Sequence, residues 1–197
     1  MKQFCLGLTG SIGMGKTTTA NMFREEGIPV WDADETVHRL YSSGGKAVPE
    51  LKKVFPEAIV NEAVSRPKLR EVIQADLAAL GTLEAIVHPL VAADRQTFRS
   101  GNDGLIVFDI PLLFETSAER WLDAVLVVSA NEKTQKQRVF SREGMTEDLF
   151  EDILSRQIPD AEKQERADFV IETLGLEQTR ADVRDLISQL REKLSYA

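Results

Sequence analysis

Five short apolar runs, each bounded by polar residues or glycine, dominate the pattern of this 197-residue chain. They cover residues 4–9, 28–31, 105–109, 124–128 and 167–171. Apolar runs of this length are typical of strands that are buried on both faces of a parallel sheet. Amphipathic helical patterns lie between the runs, and alternation of strand and helix is typical of α/β proteins. We therefore predict a five-stranded parallel sheet with helices on both faces.

The predicted helices fall into two groups. One group alternates with the strands, over residues 18–26, 35–41, 131–142, 147–157, 159–166 and 176–194. The other lies between the second and third strands, where residues 46–100 carry a helical pattern with almost no strand signal. Pro49, Pro56 and Pro67 divide this block into short helices, and the last long helix is predicted over residues 83–99. We expect residues 35–100 to form a helical insertion that binds a phosphate acceptor.

The first apolar run leads directly into the most informative motif of the sequence. It fits the phosphate-loop pattern of Gly, four residues, Gly, Lys and then Ser or Thr, and its members are Gly10, Ser11, Ile12, Gly13, Met14, Gly15, Lys16 and Thr17. Glycines allow successive backbone N–H groups to converge on an anion. Lys16 would place a charge on the outer phosphates, and the Thr17 hydroxyl could bind Mg²⁺. The motif stands between a strand and a helix, so it predicts binding of a nucleoside triphosphate.

Carboxylates follow two of the predicted strands. Asp32 and Asp34 come after the second strand, where open α/β sheets hold their ligands. One of them could accept the proton of an acceptor hydroxyl, and the other could cap the next helix. We expect Asp34 to be the base and Asp32 to be positional or linked to a metal through water. Asp109 ends the third strand in the position of an acid that holds Mg²⁺.

Basic residues concentrate after the fourth strand. They are Arg138, Arg142, Arg156, Lys163 and Arg166. Charged helix faces are usually only solvated, but phosphoryl transfer needs mobile positive charge over the transferred group. Arg142 precedes the flexible pair Glu143-Gly144, and we expect it to be the arginine of a lid over residues 139–166. His88, before Pro89 on an apolar helix, has no catalytic signature by spacing.

Composition narrows the function classes. A net charge of −8 without a basic stripe argues against a nucleic-acid partner. No apolar run approaches the length that crosses a membrane, and the start of the chain does not have the pattern of a signal peptide. Cys5 is the only cysteine, so the chain has no internal disulfide and no cysteine-rich metal site. We expect a cytoplasmic protein that is one domain, or a core with insertions.

Taken in order, these motifs resemble the dephospho-coenzyme A kinase family over nearly the whole chain. The matching residues are the phosphate loop, Asp32-Ala33-Asp34, His88-Pro89, the stretch 111–115 (Pro-Leu-Leu-Phe-Glu), Arg138, Arg142, Arg156-Gln157, Lys163 and residues 167–171. Thr173 follows the last strand where the family often has Asn. The phosphate loop alone is common to many enzymes, whereas the ordered set is specific.

The resemblance implies ATP-dependent phosphorylation of the ribose 3′-hydroxyl of dephospho-CoA, with ATP and Mg²⁺ as the phosphoryl donor and its metal. It implies a fold like that of nucleoside monophosphate kinases, with a core over residues 1–34, 101–138 and 167–197, a helical CoA-binding insertion and a helical lid. Asp34, Lys16 and Arg142 would be catalytic, and Thr17 would ligate the metal. The acceptor would be bordered by Asp32, Asp34, His88, Pro111, Leu112, Leu113, Glu115 and Arg142.

Two other functions fit parts of the pattern. A nucleoside monophosphate kinase would share the loop, the sheet and the lid. A GTP-dependent switch protein would select guanine with an Asn-Lys-any-Asp stretch after a strand. The corresponding segment here, Asn131-Glu132-Lys133-Thr134, lacks that order.

Overall fold

A computed structural model describes residues 3–196 of the protein. The chain forms two compact units. The sheet unit holds the chain up to Trp31 and from Asn102 onward, and the helical unit holds Asp32–Gly101. The elements in chain order are β1 (Gln3–Thr9), α1 (Lys16–Glu25), β2 (Val30–Asp32), α2 (Ala33–Tyr41), α3 (Val48–Val54), β3 (Ile59–Val60), β4 (Ala63–Val64), α4 (Arg66–Ala75), α5 (Ala78–Ser100), β5 (Gly104–Asp109), β6 (Ala124–Ser129), α6 (Glu132–Phe140), α7 (Glu147–Ser155), α8 (Asp160–Arg166), β7 (Phe169–Glu172) and α9 (Leu176–Tyr196).

The predicted five-stranded parallel sheet is confirmed, with the order β2-β5-β1-β6-β7. β1 pairs in parallel with both β5 and β6, and β6 pairs in parallel with β7. Because β1 is central and covered on both faces, its side chains from Cys5 to Thr9 are buried, which accounts for the continuous apolar run in the sequence. This order also brings the ends of β1 and β5 next to each other, since Leu8 lies opposite Asp109 in the register.

The two faces of the sheet carry separate apolar clusters. The larger cluster joins β1, β5 and β6 to α1 and α9 through residues such as Phe23, Leu126 and Leu190. The smaller cluster packs Leu113 and Phe114 against Val125 and Val127 of β6. Burial of these side chains is the main driving force that holds the helices on the sheet. Ile158 and Ala167, on either side of α8, pack against the smaller cluster, and α8 contacts β6, so helices lie on both faces as predicted.

The helical unit corrects the sequence prediction in two places. Residues 59–64, predicted as part of a helical block, contain the antiparallel hairpin of β3 and β4. Each strand is only two residues long, too short for an alternating pattern to reveal, and its turn places Asn61 and Glu62 at positive φ of 49° and 60°. The long helix α5 begins at Ala78 rather than at residue 83, and the Asp76 carboxylate accepts from the Ala78 N–H at 2.9 Å to support that start.

Other boundaries move by a few residues. β2 begins at Val30 and ends at Asp32, so α2 starts at Ala33 and includes Asp34 in its first turn. Thr146 caps α7 as predicted, with its Oγ1 accepting from the Leu149 N–H at 3.3 Å. The predicted lid, residues 139–166, holds the end of α6 with α7 and α8 and belongs to the sheet unit. Within residues 3–196, no helix combines the length and apolarity that a membrane span requires.

Candidate active site

The loop between β1 and α1 adopts a conformation that two of its glycines make possible. Gly13 and Gly15 have φ of 80° and 88°, in the left-handed region that other residues rarely adopt. A Cβ on Gly15 would also lie 2.8 Å from Thr173 Oγ1, inside van der Waals contact. The Met14 N–H donates to Ser11 O at 3.1 Å, and the Met14 side chain is buried in the core. The predicted turn is thus a closed, tightly packed loop.

Three successive carbonyls of this loop each accept a hydrogen bond from a side chain outside it. The pairs are Gln135 Nε2 to Ile12 O at 2.8 Å, Arg138 Nη1 to Gly13 O at 3.3 Å, and Thr173 Oγ1 to Met14 O at 2.7 Å. Arg138 also donates to Thr173 Oγ1 at 2.9 Å and to the Thr173 carbonyl. These side chains hold the loop through the carbonyls of residues 12–14. Sequence reasoning named Arg138 and Thr173 but did not assign them this role, and it missed Gln135.

The N–H groups of the loop are available for a ligand. In a trans peptide, a carbonyl and the following N–H point in opposite directions, so carbonyls held on one side turn N–H groups to the other. Within residues 3–196, the N–H groups of Gly13, Gly15, Lys16 and Thr17 make no hydrogen bond. Unpaired N–H groups at the start of a helix are a binding site for a phosphate group. The loop therefore has the donor pattern of a triphosphate site.

Lys16 and Asp109 meet at this loop. The Lys16 ammonium donates to Asp109 Oδ1, and the carboxylate is 1% exposed while the lysine side chain is 16% exposed. Asp109 ends β5 directly beside β1, which explains how two residues 93 positions apart in sequence come together. A buried carboxylate requires a positive partner, and Lys16 supplies that charge in this conformation.

The Thr17 hydroxyl at this loop is an oxygen donor of the type that suits Mg²⁺. Mg²⁺ usually keeps several waters and takes one or two protein ligands together with substrate phosphates. Thr17 is exposed in the first turn of α1, next to the lysine that contacts Asp109. Among residues 3–196 there is no group of three or more His, Cys, Asp and Glu that could hold a metal ion. A metal that arrives with a triphosphate needs no such group.

Asp32 at the end of β2 and Asp34 at the start of α2 have different environments in the helical unit. Asp32 caps α2, because its Oδ1 accepts from the Glu35 N–H at 2.9 Å. Asp34 is exposed in the first turn of α2, and its side chain has no hydrogen-bond or ion-pair partner among the described residues. The capping role therefore belongs to Asp32, and Asp34 is the carboxylate that is accessible to a substrate. His88 is exposed on α5, next to Pro89 inside that helix.

The basic residues after β6 are mostly paired. Arg156 contacts Asp152 at 2.9 Å, and Arg166 contacts Glu119 at 3.0 Å and lies over the Phe114 ring at 4.4 Å. Arg142 is exposed in the turn between α6 and α7, and its side chain has no ion-pair partner in the described part of the chain. Arg138 donates to the loop and to Thr173, so among these five basic residues Arg142 is the one whose side chain has neither a hydrogen bond nor an ion pair to a described residue.

The stretch 111–115 after β5 is largely committed to the sheet unit. The Pro111 carbonyl accepts from Thr9 Oγ1 at 3.2 Å, Leu112 is 40% exposed, and Leu113 is fully buried. Glu115 Oε1 accepts from the Ile158 N–H at 2.8 Å and lies 2.9 Å from Lys163 Nζ. Leu113 and Glu115, expected at the acceptor, therefore have partners inside this unit. Of Leu112, Leu113 and Glu115, Leu112 has the most exposed side chain.

The contact between Glu115 and Lys163 is a buried ion pair. The Lys163 side chain has no exposed surface and that of Glu115 is 15% exposed. Burial by itself raises the pKa of the Glu115 carboxyl, but the Lys163 ammonium and the N–H groups around the carboxylate outweigh it, so the net pKa is lowered. Glu115 is therefore charged at neutral pH, and it neutralises a lysine that has no access to water.

We expect Glu115→Gln to destabilise the protein by about 3–5 kcal/mol, because it leaves the Lys163 ammonium buried without a counter-charge. Urea denaturation followed by circular dichroism would measure the loss. The double variant Glu115→Gln with Lys163→Met should recover most of it. The control is Lys136→Met, which removes an exposed lysine paired with Glu132 at 2.7 Å and should cost under about 1 kcal/mol. Equal effects of Glu115→Gln and the control would contradict the assignment.

The folded state therefore combines a five-stranded parallel sheet with a phosphate loop, and this defines a nucleotide-binding α/β protein of the P-loop kinase class. Comparison with known proteins specifies the family. The family model for dephospho-CoA kinase matches residues 4–177. The chain belongs to the dephospho-CoA kinase family.

Individual relatives agree over nearly full length. A dephospho-CoA kinase from Ruegeria pomeroyi is 56% identical over 95% of this chain and 96% of its own. A crystal structure from Thermus thermophilus matches with a TM-score of 0.84 at 33% identity, over 96% of this chain and 99% of that one. A shikimate kinase from Acinetobacter baumannii matches with a TM-score of 0.54 at 17% identity, over 97% and 94% of the two chains, which shows a shared fold alone.

Proposed function

We propose that this protein transfers the γ-phosphoryl group of ATP to the ribose 3′-hydroxyl of dephospho-CoA and releases CoA and ADP. The observation that carries the proposal is the loop of residues 10–17, with carbonyls held from outside and N–H groups left for phosphate, in a chain of the dephospho-CoA kinase family. The name of the R. pomeroyi relative gives the acceptor. Location in the cytoplasm is part of the proposal and rests on Cys5, which is buried and is the single cysteine of the sequence.

Transfer proceeds by an in-line displacement at the γ-phosphorus. A bond forms from the acceptor 3′-oxygen to phosphorus, the bond from phosphorus to the β,γ-bridging oxygen breaks, and ADP takes the electron pair. Asp34 accepts the proton of the 3′-hydroxyl, which suits an exposed carboxylate that has no hydrogen-bond or ion-pair partner among the described residues. Most of the catalysis comes from positioning and charge stabilisation rather than from covalent chemistry.

Lys16 and Arg142 stabilise the charge of the transferred group. Lys16 exchanges its contact with Asp109 for the outer phosphates, because a triphosphate carries more charge than one carboxylate. Arg142 is exposed on a turn two residues before Gly144, whose missing side chain gives the backbone wide conformational freedom, and can move onto the phosphoryl group. Mg²⁺, with Thr17 as its protein ligand, would neutralise phosphate charge when it binds with ATP.

The acceptor is bordered in this proposal by groups that the structure leaves accessible. His88 and Leu112 are exposed, and Pro111 is partly so. Asp32 holds the start of α2 and so positions Asp34, while Leu113 and Glu115 support the site through packing and pairing. This division separates residues that touch the acceptor from those that hold them.

An ADP-release assay with Mg·ATP tests the function. Dephospho-CoA, AMP, CMP and no acceptor are compared in parallel, with CoA identified as the product. ADP release that depends on dephospho-CoA alone is the expected result. Turnover with AMP or CMP instead would favour a nucleoside monophosphate kinase, and nucleotide binding without any acceptor-dependent turnover would contradict a kinase.

A further inference from the structure

Gln157 lies in the turn between α7 and α8, and its side chain reaches the phosphate loop. Its Oε1 accepts from the Ile12 N–H at 3.1 Å. A backbone N–H can only donate, so the atom that faces it must be the amide oxygen. The orientation of this carboxamide is therefore fixed by chemistry, with the Nε2 amino group on its other side.

The amino group of Gln157 is uncommitted. Within residues 3–196, Gln157 Nε2 makes no hydrogen bond, and the side chain is only partly buried. Gln135 also contacts Ile12, but with its amino group, because its Nε2 donates to the Ile12 carbonyl at 2.8 Å. Gln135 thus uses its amino group to hold the loop. Gln157 contacts the loop through its oxygen, and its amino group has no hydrogen-bond partner among residues 3–196.

The backbone around Gln157 is firmly placed. The next N–H, that of Ile158, donates to Glu115 Oε1 at 2.8 Å. The Lys163 ammonium lies 2.9 Å from the same oxygen. The lowered pKa of Glu115 keeps this acceptor ionised at neutral pH. Asp160 then anchors the start of α8 through a 2.5 Å hydrogen bond from Ser129 at the end of β6. Gln157 is therefore a pre-positioned donor, since ordering it requires little further loss of entropy.

The chemistry identifies the group that it would meet. In phosphate loops the backbone N–H groups cradle the inner phosphates, and the lysine side chain reaches out to the β- and γ-phosphates, so the terminal phosphate can take further side-chain donors. A carboxamide amino group donates well to a phosphate oxygen and carries no charge of its own. We propose that Gln157 contacts the substrate, that its Nε2 donates to the terminal phosphate of the bound triphosphate, and that it thereby favours ATP over ADP.

The proposal rests on the proposed function only for the identity of the nucleotide. Its test is therefore a binding measurement without any acceptor. Titration calorimetry with Mg²⁺ would compare ADP with the imido analogue of ATP, for the wild type and for Gln157→Glu. The variant keeps an oxygen for the Ile12 N–H but loses the donor and adds a negative charge.

We expect Gln157→Glu to weaken the ATP analogue by about tenfold or more, as for loss of a hydrogen bond to a charged group, and to change ADP binding by less than about twofold. Gln157→Met, which removes the donor without adding charge, should weaken the analogue by a smaller factor. Gln137→Glu makes the same charge change at an exposed position of α6 and should affect neither ligand.

A loop-supporting role alone predicts a different result. Equal weakening of ADP and the analogue by Gln157→Glu, or no change in either, would overturn the proposal while leaving the proposed function in place. Wild-type protein that binds neither nucleotide would overturn both.

Discussion

The Asp34→Asn variant is expected to have a kcat lower by about 10²–10⁴-fold, the usual contribution of a general base, with the affinity for ATP unchanged. Asparagine keeps the size of the side chain but cannot take the proton of the acceptor hydroxyl. Asp34 is exposed and makes no ion pair in the described part of the chain, so the substitution should leave stability intact. Steady-state kinetics with dephospho-CoA, together with calorimetric binding of the ATP analogue, would measure both effects.

A neighbouring carboxylate provides the control for this prediction. Glu35 lies in the same first turn of α2, is exposed, and lies 3.9 Å from Arg39. Glu35→Gln removes the same charge from the same helix end and should leave kcat within about twofold, since surface ion pairs contribute little. If Asp34→Asn retained a kcat close to that of Glu35→Gln, another group would have to be the base.

The Lys16→Met variant is expected to lower kcat by at least about 10²–10³-fold, the cost of removing one preorganised donor from a developing charge. It should also destabilise the protein, because Asp109 is 1% exposed and loses its contact with the Lys16 ammonium. Kinetics and urea denaturation on the same preparation would measure the two losses.

Catalysis and stability can be separated by a second substitution. Adding Asp109→Asn to Lys16→Met removes the buried charge and should restore much of the free energy of unfolding. Activity should stay low, because the charge for the outer phosphates is still missing. Recovery of activity together with stability would show that Lys16 acts only as the counter-ion of Asp109.

Most of the fold could be predicted from local patterns. Apolar runs and helical periodicity are properties of short segments, and they gave the five strands and most helices of the sheet unit within a few residues. The hairpin at residues 59–64 was missed because two-residue strands carry almost no periodic signal. The start of α5 was predicted five residues late. The residue before the helix is Leu77, which is not a typical capping residue, and the supporting carboxylate of Asp76 lies one position earlier.

The support of the phosphate loop could not be predicted in the same way. Gln135, Arg138 and Thr173 hold carbonyls of residues 12–14 from elements more than 100 positions away in the chain. Nothing in the local sequence of a glutamine or threonine indicates a partner that the fold alone brings near. The resemblance named Arg138 and Thr173, but a family motif marks positions and not contacts.

By itself, the sequence determined the parallel sheet, the phosphate loop and the family, because each is encoded in contiguous residues or in their order. Only the tertiary structure decided which charges are committed. It paired Lys163 with Glu115 in the interior and left Arg142 and Asp34 exposed without ion-pair partners among residues 3–196. The physical reason is that a buried charge requires a partner, and which partner it finds depends on strand order and helix packing across the whole domain.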